Sequence, residues 1–460
     1  LFFLISLREI VLIMRKLHLL FMLVFILSFC LPQSAKGQGF SLPEGKDVEK
    51  VRFELINNLI IIPIEVNGAK LSFILDSGVS TPILFNVSDQ DSVFLKNVSE
   101  ITIRGLGDGD PIKALSSKGN SFKLKNIKNS NQNLYVVMDK EMNFSPTLGM
   151  PIHGIIGYDL FRDFVVDINY NSGLIKFYNP DEYVPKKYKD EEQLPLIIQK
   201  NKAYVQGNVD LNDKKDVPVN LLIDTGSSDA VWLFPDKYKG LDVPEKYYDD
   251  YLGKGLSGTI FGKRTKVKSI RLGSYRLKDA KTAFPNMDAF GNDVDLGNRN
   301  GSIGGELLRR FNITVDYSTN EIRLRKNAYF KKPFQYNMSG LQIKHNGLRY
   351  IADRIADKRG VVHSSQKSFG DVQILMEGST RLSLVPEIVV SAIRVGSPAE
   401  VAGLKEGDII LAVNGKKVHS YKLQEVLKMM NEKEGKRIRV LIERYNKDLL
   451  FSFVLKKVFE

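Results

Sequence analysis

The chain has 460 residues, 43% of them hydrophobic and 26% charged, and a formal net charge of +13. A length of this order corresponds to roughly three domains, and the balance excludes a disordered, collagen-like or many-span membrane protein. The positive charge favours acidic partners. Lys and Arg are nevertheless scattered from Lys46 to Lys457 rather than gathered in one stripe, so no nucleic-acid partner is expected. The single cysteine, Cys30, excludes a disulfide framework and a cysteine-based metal site. Five histidines without a His-x-x-x-His pair argue against a zinc peptidase, and no metal is expected.

The chain opens on an address. Met14, Arg15 and Lys16 form a charged start, residues 17–31 are an almost unbroken apolar run, and Ala35 and Gly37 place small residues before a cleavage point. Residues 1–37 therefore read as a signal-peptide region. The expectation is an exported protein, periplasmic or secreted, with no stable membrane span after cleavage. An uncleaved anchor is the first alternative, but Arg8, Glu9, Arg15 and Lys16 interrupt it. A lipoprotein acylated at Cys30 is the second, and the bulky Phe29 before it argues against that.

The next 290 or so residues repeat themselves. Residues 71–78 match 219–226, residues 104–107 match 254–257, and residues 154–164 match 301–311. Three blocks in one order at nearly one offset mark two homologous units, with the Pro-containing, charged stretch 179–192 between them as a linker. Each unit reads as strands. Residues 60–66 and 70–75 are β-branched runs flanking Asn67-Gly68, a strong hairpin signal. Residues 203–210 and 217–223 repeat them across a looser stretch, 212–216. One short helix per unit is expected, at 158–163 and 305–310, each followed or preceded by strand, with closing strands at 165–170 and 312–317.

In both units an apolar strand delivers an aspartate into a Ser/Thr-Gly turn: Asp76-Ser77-Gly78 and Asp224-Thr225-Gly226. One such triplet is usually only a turn. Two at equal depth in a duplicated unit read as a site. Two carboxyls about 3 Å apart at an effective dielectric of about 20 repel by about 5–6 kcal/mol, so one keeps its proton while the other ionises. Such a pair can deprotonate water with one group and protonate a carbonyl oxygen with the other. The glycines permit a sharp turn, and the Ser77 and Thr225 hydroxyls are placed to bond across to the opposite loop.

Residues 223–228 with Trp232 resemble the active-site turn of pepsin-like aspartic peptidases, and residues 75–78 resemble its partner. Unit size and the closing blocks 155–157 and 302–304 resemble retropepsin-type units. The resemblance implies two apolar residues and a glycine, Gly157 or Gly304, crossing beneath each aspartate as a cleft floor. It implies a shared-proton pair of Asp76 and Asp224, with Ser77, Gly78, Thr225, Gly226 and Ser227 as supporting loop, and no metal or organic cofactor. It also implies glycine-rich flaps, for which Gly105, Leu106 and Gly107, and Gly255, Leu256 and Ser257, stand at suitable places. Two departures matter: neither flap holds a tyrosine, though Tyr251 is near, and Val79 stands where the second copy has Ser227. Residues 258–265 have the wrong spacing for a phosphate loop, residues 105–109 precede no helix, and Asp288, Asp293 and Asp295 read as a polar loop rather than a calcium site.

From about Phe334 the pattern changes. A strand at 389–394, the run 396–415, a helix at 421–430 and strands at 438–444 and 449–455 strongly resemble a PDZ domain. Such domains add a peptide strand to a sheet edge and capture its carboxylate in backbone N–H groups. Ser339, Gly340, Leu341 and Ile343 resemble that loop and strand, with Leu423 and Leu427 either lining the groove or lying in the core. The stretch from Lys344 to Glu387 is longer than the family places there, so the loop could instead lie near Gly378.

The expected architecture is mainly β. Two duplicated acid-protease-like β-barrel lobes, 38–190 and 191–330, form one cleft, and a small α+β PDZ domain follows at 331–460. The expected function is an aspartic-type endopeptidase acting on a peptide or protein substrate, with a PDZ ligand bearing a free C-terminus. The rival readings are a non-catalytic peptide-binding scaffold and lobes that pair between chains.

Overall fold

The computed structural model describes residues 39–87, 93–139, 142–291, 296–354 and 380–459. The expected leader, Asp293 and Asp295 of the acidic loop, and Gly378 lie outside these residues. Among the described residues, no helix is long and apolar enough to cross a membrane. The structure is mostly β, as the short alternating runs predict.

The first lobe is an eight-stranded sheet. Its central strands are Leu59–Val66 and Ala69–Leu75, and the short strand Gly154–Ile156 runs parallel to the second of these. Alternate residues Ile60, Ile62, Ile64 and Val66 are all buried, which fixes the register. Asn67 and Gly68 both adopt positive φ, 49° and 97°, the conformation a tight hairpin of this type requires. In the second lobe, Lys202–Leu211 and Lys214–Asp224 are the equivalent strands. Their turn is shorter than the looser 212–216 expected. Only Asn212 and Asp213 separate the strands, and the extra residue is absorbed as a bulge between Val209 and Leu211. The Asp216 N–H donates to Asp210 Oδ1 at 2.9 Å across that bulge.

Six antiparallel strands join the lobes, in the order Val48–Arg52, Leu174–Tyr178, Val165–Asn169, Phe311–Asp316, Glu321–Lys326 and Glu191–Gln199. At their centre the closing strand of one copy meets the closing strand of the other, with Asp167 opposite Thr314. Glu191 and Glu192, which the sequence places in the linker, are the first residues of a strand and pair with Arg325 and Leu324. One apolar core, including Phe161 and the strand residues Phe177, Phe311 and Val315, runs through both lobes. The helices are Tyr158–Asp163 and Gly305–Leu308, with an additional turn, Ser145–Leu148, in the first lobe that the periodicity does not reveal.

The C-terminal domain has its own core, including Leu341, Ile343, Val390, Ile410 and Val440. The long stretch after Lys344 prolongs two paired strands, Leu341–Arg354 and Thr380–Ile393, into a ribbon. The helix, expected at 421–430, is Leu423–Met429. Lys422 caps it, with Glu425 reaching back to its N–H.

Candidate active site

Each lobe ends a buried strand on an aspartate. Phe73, Ile74 and Leu75 are buried before Asp76, and Leu221, Leu222 and Ile223 before Asp224. The floor of each turn is set by the parallel partner strand. The Asp76 N–H donates to the Ile156 carbonyl at 2.8 Å, and Asp224 lies opposite Gly304 in the ladder. A Cβ on Gly157 would overlap the Asp76 carbonyl oxygen, and one on Gly304 would overlap that of Asp229. Only glycine fits at either crossing.

The two turns are locked to each other. The Ser77 N–H donates to Thr225 Oγ1 at 3.0 Å, and the Thr225 N–H donates to Ser77 Oγ at 3.1 Å. The Ser77 hydroxyl then donates to the Ile223 carbonyl at 2.6 Å, and the Thr225 hydroxyl to the Leu75 carbonyl at 2.7 Å. Ser77 and Thr225 are both buried, so each bond replaces one that water cannot supply.

This lock brings the carboxylates together within one chain. The Gly78 N–H donates to Asp76 Oδ1 at 2.7 Å and the Gly226 N–H to Asp224 Oδ1 at 3.1 Å. A Cβ on Gly226 would overlap the Asp76 carboxylate, and one on Gly78 would stand 3.6 Å from Asp224 Oδ1. Each glycine therefore lies against the carboxylate of the other lobe.

The two groups are not electrostatically equal. Burial, and then the Asp224 charge, push Asp76 up to about 7. Burial also raises Asp224, but the Arg299 guanidinium and the Lys202 ammonium oppose that rise. Arg299 is held by its Nε–H, which donates to the Gly301 carbonyl at 3.0 Å, and by stacking over Phe234 at 5.1 Å. Lys202 opens the strand that pairs with the Asp224 strand. Neither cation carries a motif, so the sequence gives no sign of them. Asp224 also draws on the Ser227 backbone N–H, while the Ser227 hydroxyl makes no hydrogen bond to it among the described residues. Val79 in place of a serine in the first turn therefore removes no side-chain hydrogen bond of a kind that the second turn makes.

The candidate flap residues are hairpin tips, and they exchange leucines. Gly105, Leu106 and Gly107 follow the strand Val98–Ile103, and Gly255, Leu256 and Ser257 join Tyr248–Gly255 to Gly258–Leu272. Leu106 packs on the second lobe's cluster of Trp232, Phe234 and Phe290, and Leu256 on the first lobe's cluster of Ile83, Phe85 and Leu148. The tips are also bonded. The Gly109 N–H donates to the Ser257 carbonyl at 2.6 Å, and the Ser257 N–H to that of Leu106 at 2.9 Å. The Gly105 N–H donates to Ser257 Oγ at 3.0 Å, and the Thr259 N–H to Asp108 Oδ1 at 2.9 Å. Tyr251 packs edge-on against Phe261.

In the C-terminal domain, Ser339 and Gly340 form the loop leading into the edge strand, which begins at Leu341, and Leu341 and Ile343 are core residues of that strand. Leu423 is buried in the same core, and Leu427 packs against it half-buried. A cavity of about 640 Å³ lies away from the carboxylates, where the second lobe meets this domain, and is lined by Arg276, Arg310, Tyr336 and Phe459.

The aspartyl protease family model matches residues 62–160 and again 205–306, and the PDZ domain model matches residues 389–444. A protein of Arabidopsis thaliana with the name "Putative protease Do-like 14" is 36% identical over 61 residues, which is 13% of this chain. The chain spans only 12% of the length of that relative. The chain carries two tandem retropepsin-like aspartyl protease segments followed by a C-terminal PDZ domain.

Proposed function

We propose that this protein is an exported aspartic-type endopeptidase whose reaction runs through Asp76 and Asp224. The reading rests on one observation: the two aspartate turns are cross-bonded within one chain, each glycine packed against the opposite carboxylate. Asp224, with Arg299 and Lys202 beside it, is the ionised partner and takes a proton from water. Asp76, raised by burial and by its neighbour's charge, holds the shared proton and gives it to the carbonyl oxygen of the peptide. The resulting hydroxide adds to the carbonyl carbon. Collapse of the tetrahedral species returns the proton, and the C–N bond breaks with the nitrogen protonated. No cofactor enters this scheme.

The PDZ domain recruits or positions a peptide. Export rests on the apolar run 17–31 and the small residues Ala35 and Gly37. The plant relative's name is that of a protease, which agrees with a role in proteolysis.

The test is a peptide library incubated at pH 3–8 with the unsubstituted protein, Asp76→Asn and Asp224→Asn, with products read by mass spectrometry with and without pepstatin. Cleavage by the unsubstituted protein falling by about 10³-fold or more in each variant is expected, in line with loss of one member of a unit that acts together. Peptides bound but cut by none of the three would replace this reading with a binding scaffold. N-terminal sequencing of the mature protein checks cleavage after Gly37.

A further inference from the structure

The edge strand of the PDZ domain, Leu341–Arg354, pairs on one side with Thr380–Ile393, and the helix Leu423–Met429 packs beside it. The groove between strand and helix is where a peptide would enter. In this structure the first lobe stands there. The turn Ser145–Leu148 lies against the strand. The Gln424 side chain on the helix donates from Nε2 to the Leu148 carbonyl at 2.8 Å. Gly149 ends the turn at φ 71°, and a Cβ there would stand 3.0 Å from Leu423 Cβ and 3.6 Å from His345 Cε1. Gly149 thus sits between one residue of the helix and one of the strand.

A second observation is independent of the first. The three amides that would receive a terminal carboxylate are already satisfied from within the domain. The Ser339 N–H donates to Asn431 Oδ1 at 3.0 Å, the Gly340 N–H to Asn337 Oδ1 at 2.9 Å, and the Leu341 N–H to Ser339 Oγ at 3.2 Å. A carboxylate arriving there would have to displace all three, whereas a segment without a charged end needs none of them. The first-lobe turn is such a segment, and it is held ready. Asn86 Nδ2 and the Ile152 N–H both donate to Ser145 Oγ at 2.9 Å, and Phe144 packs edge-on against Phe85.

We propose that residues 145–149 of the first lobe are the resident ligand of the PDZ groove, and that another peptide occupies the groove only by displacing this turn. The groove on this reading accepts an internal, carboxylate-free segment. Its occupant is paid for by no ordering entropy, because the turn is already folded on its own lobe.

The test uses the mature chain carrying Asp224→Asn, so that hydrolysis neither consumes the probe nor decides the outcome, and failure of the peptidase reading stays separate. The probe is a fluorescein-labelled peptide of residues 143–151, prepared as C-terminal amide and as free acid, and followed by anisotropy. Gly149→Val places a branched Cβ in left-handed backbone and against Leu423, and so opens the groove. Its affinity for the probe is expected to rise by about tenfold or more, as the competent fraction rises, with amide and acid bound equally. Three results overturn the proposal: equal binding with and without Gly149→Val, no binding by Gly149→Val, or an acid preference of about tenfold. If Gly149→Val does not fold, benzoylphenylalanine is placed at Gln424, whose side chain reaches the Leu148 carbonyl. Intrachain crosslinks to residues 145–149 support the proposal, and their absence overturns it.

Discussion

Asp76 and Asp224 differ chiefly in which cations stand beside them, and that difference predicts a pH profile. Lys202 acts on both groups, and Arg299 acts on Asp224 alone among the interactions that set the pair. Removing a cation makes a neighbouring carboxyl harder to ionise. Arg299→Met is therefore expected to move the acidic limb of kcat against pH upward and leave the alkaline limb in place. Lys202→Met is expected to move both limbs upward. Stability carries the same information through linkage. An unfolded aspartate titrates near 3.9, and folding raises Asp76 to about 7. The favourable contribution of its protonated form is thus complete below about pH 4 and is lost as pH rises through 7. Asp76→Asn cannot ionise, so its melting temperature relative to the unsubstituted protein is expected to climb between pH 4 and pH 8. A constant difference across that range, measured by thermal melts, would reject the raised Asp76.

At the scale of elements, the crossed turns are one device rather than two. Ser77→Ala removes an acceptor from the buried Thr225 N–H, and Thr225→Val removes one from the buried Ser77 N–H. Each is expected to cost about 1–3 kcal/mol. Because the two side chains share one network, the double variant should cost less than the sum, a coupling a double-mutant cycle in urea would measure. These turns were legible in the sequence because their chemistry is local: an apolar run, an acid, a hydroxyl and a glycine. Asn67-Gly68 was legible for the same reason. Arg299, Lys202, the exchanged Leu106 and Leu256, and Gly149 against Leu423 were not. Lys202 owes its place to the register of its hairpin and the others to surfaces from distant parts of the chain, and no short pattern encodes either. The tight Asn212-Asp213 turn was missed because its bulge makes one strand longer than its alternation shows.

At the scale of the molecule, duplication on one chain decides where the two carboxylates come from. The closing strands Val165–Asn169 and Phe311–Asp316 pair within one chain, and the leucines of the two hairpin tips cross from lobe to lobe in the same chain. Separating the lobes would break that sheet, expose the shared core and undo the Ser77–Thr225 lock together. An arrangement in which lobes pair between chains would have to rebuild all three. The two readings give opposite results when inactive chains are mixed. Chains carrying Asp76→Asn and chains carrying Asp224→Asn each lack one carboxyl. If sites form between chains, some mixed sites regain an intact pair, and cleavage reappears in proportion to the mixture. With both carboxylates drawn from one chain, every site stays incomplete. The expected outcome is that the mixture, even after co-refolding from denaturant, cleaves no faster than the sum of its parts. The unsubstituted protein refolded in parallel supplies the yardstick for recovery.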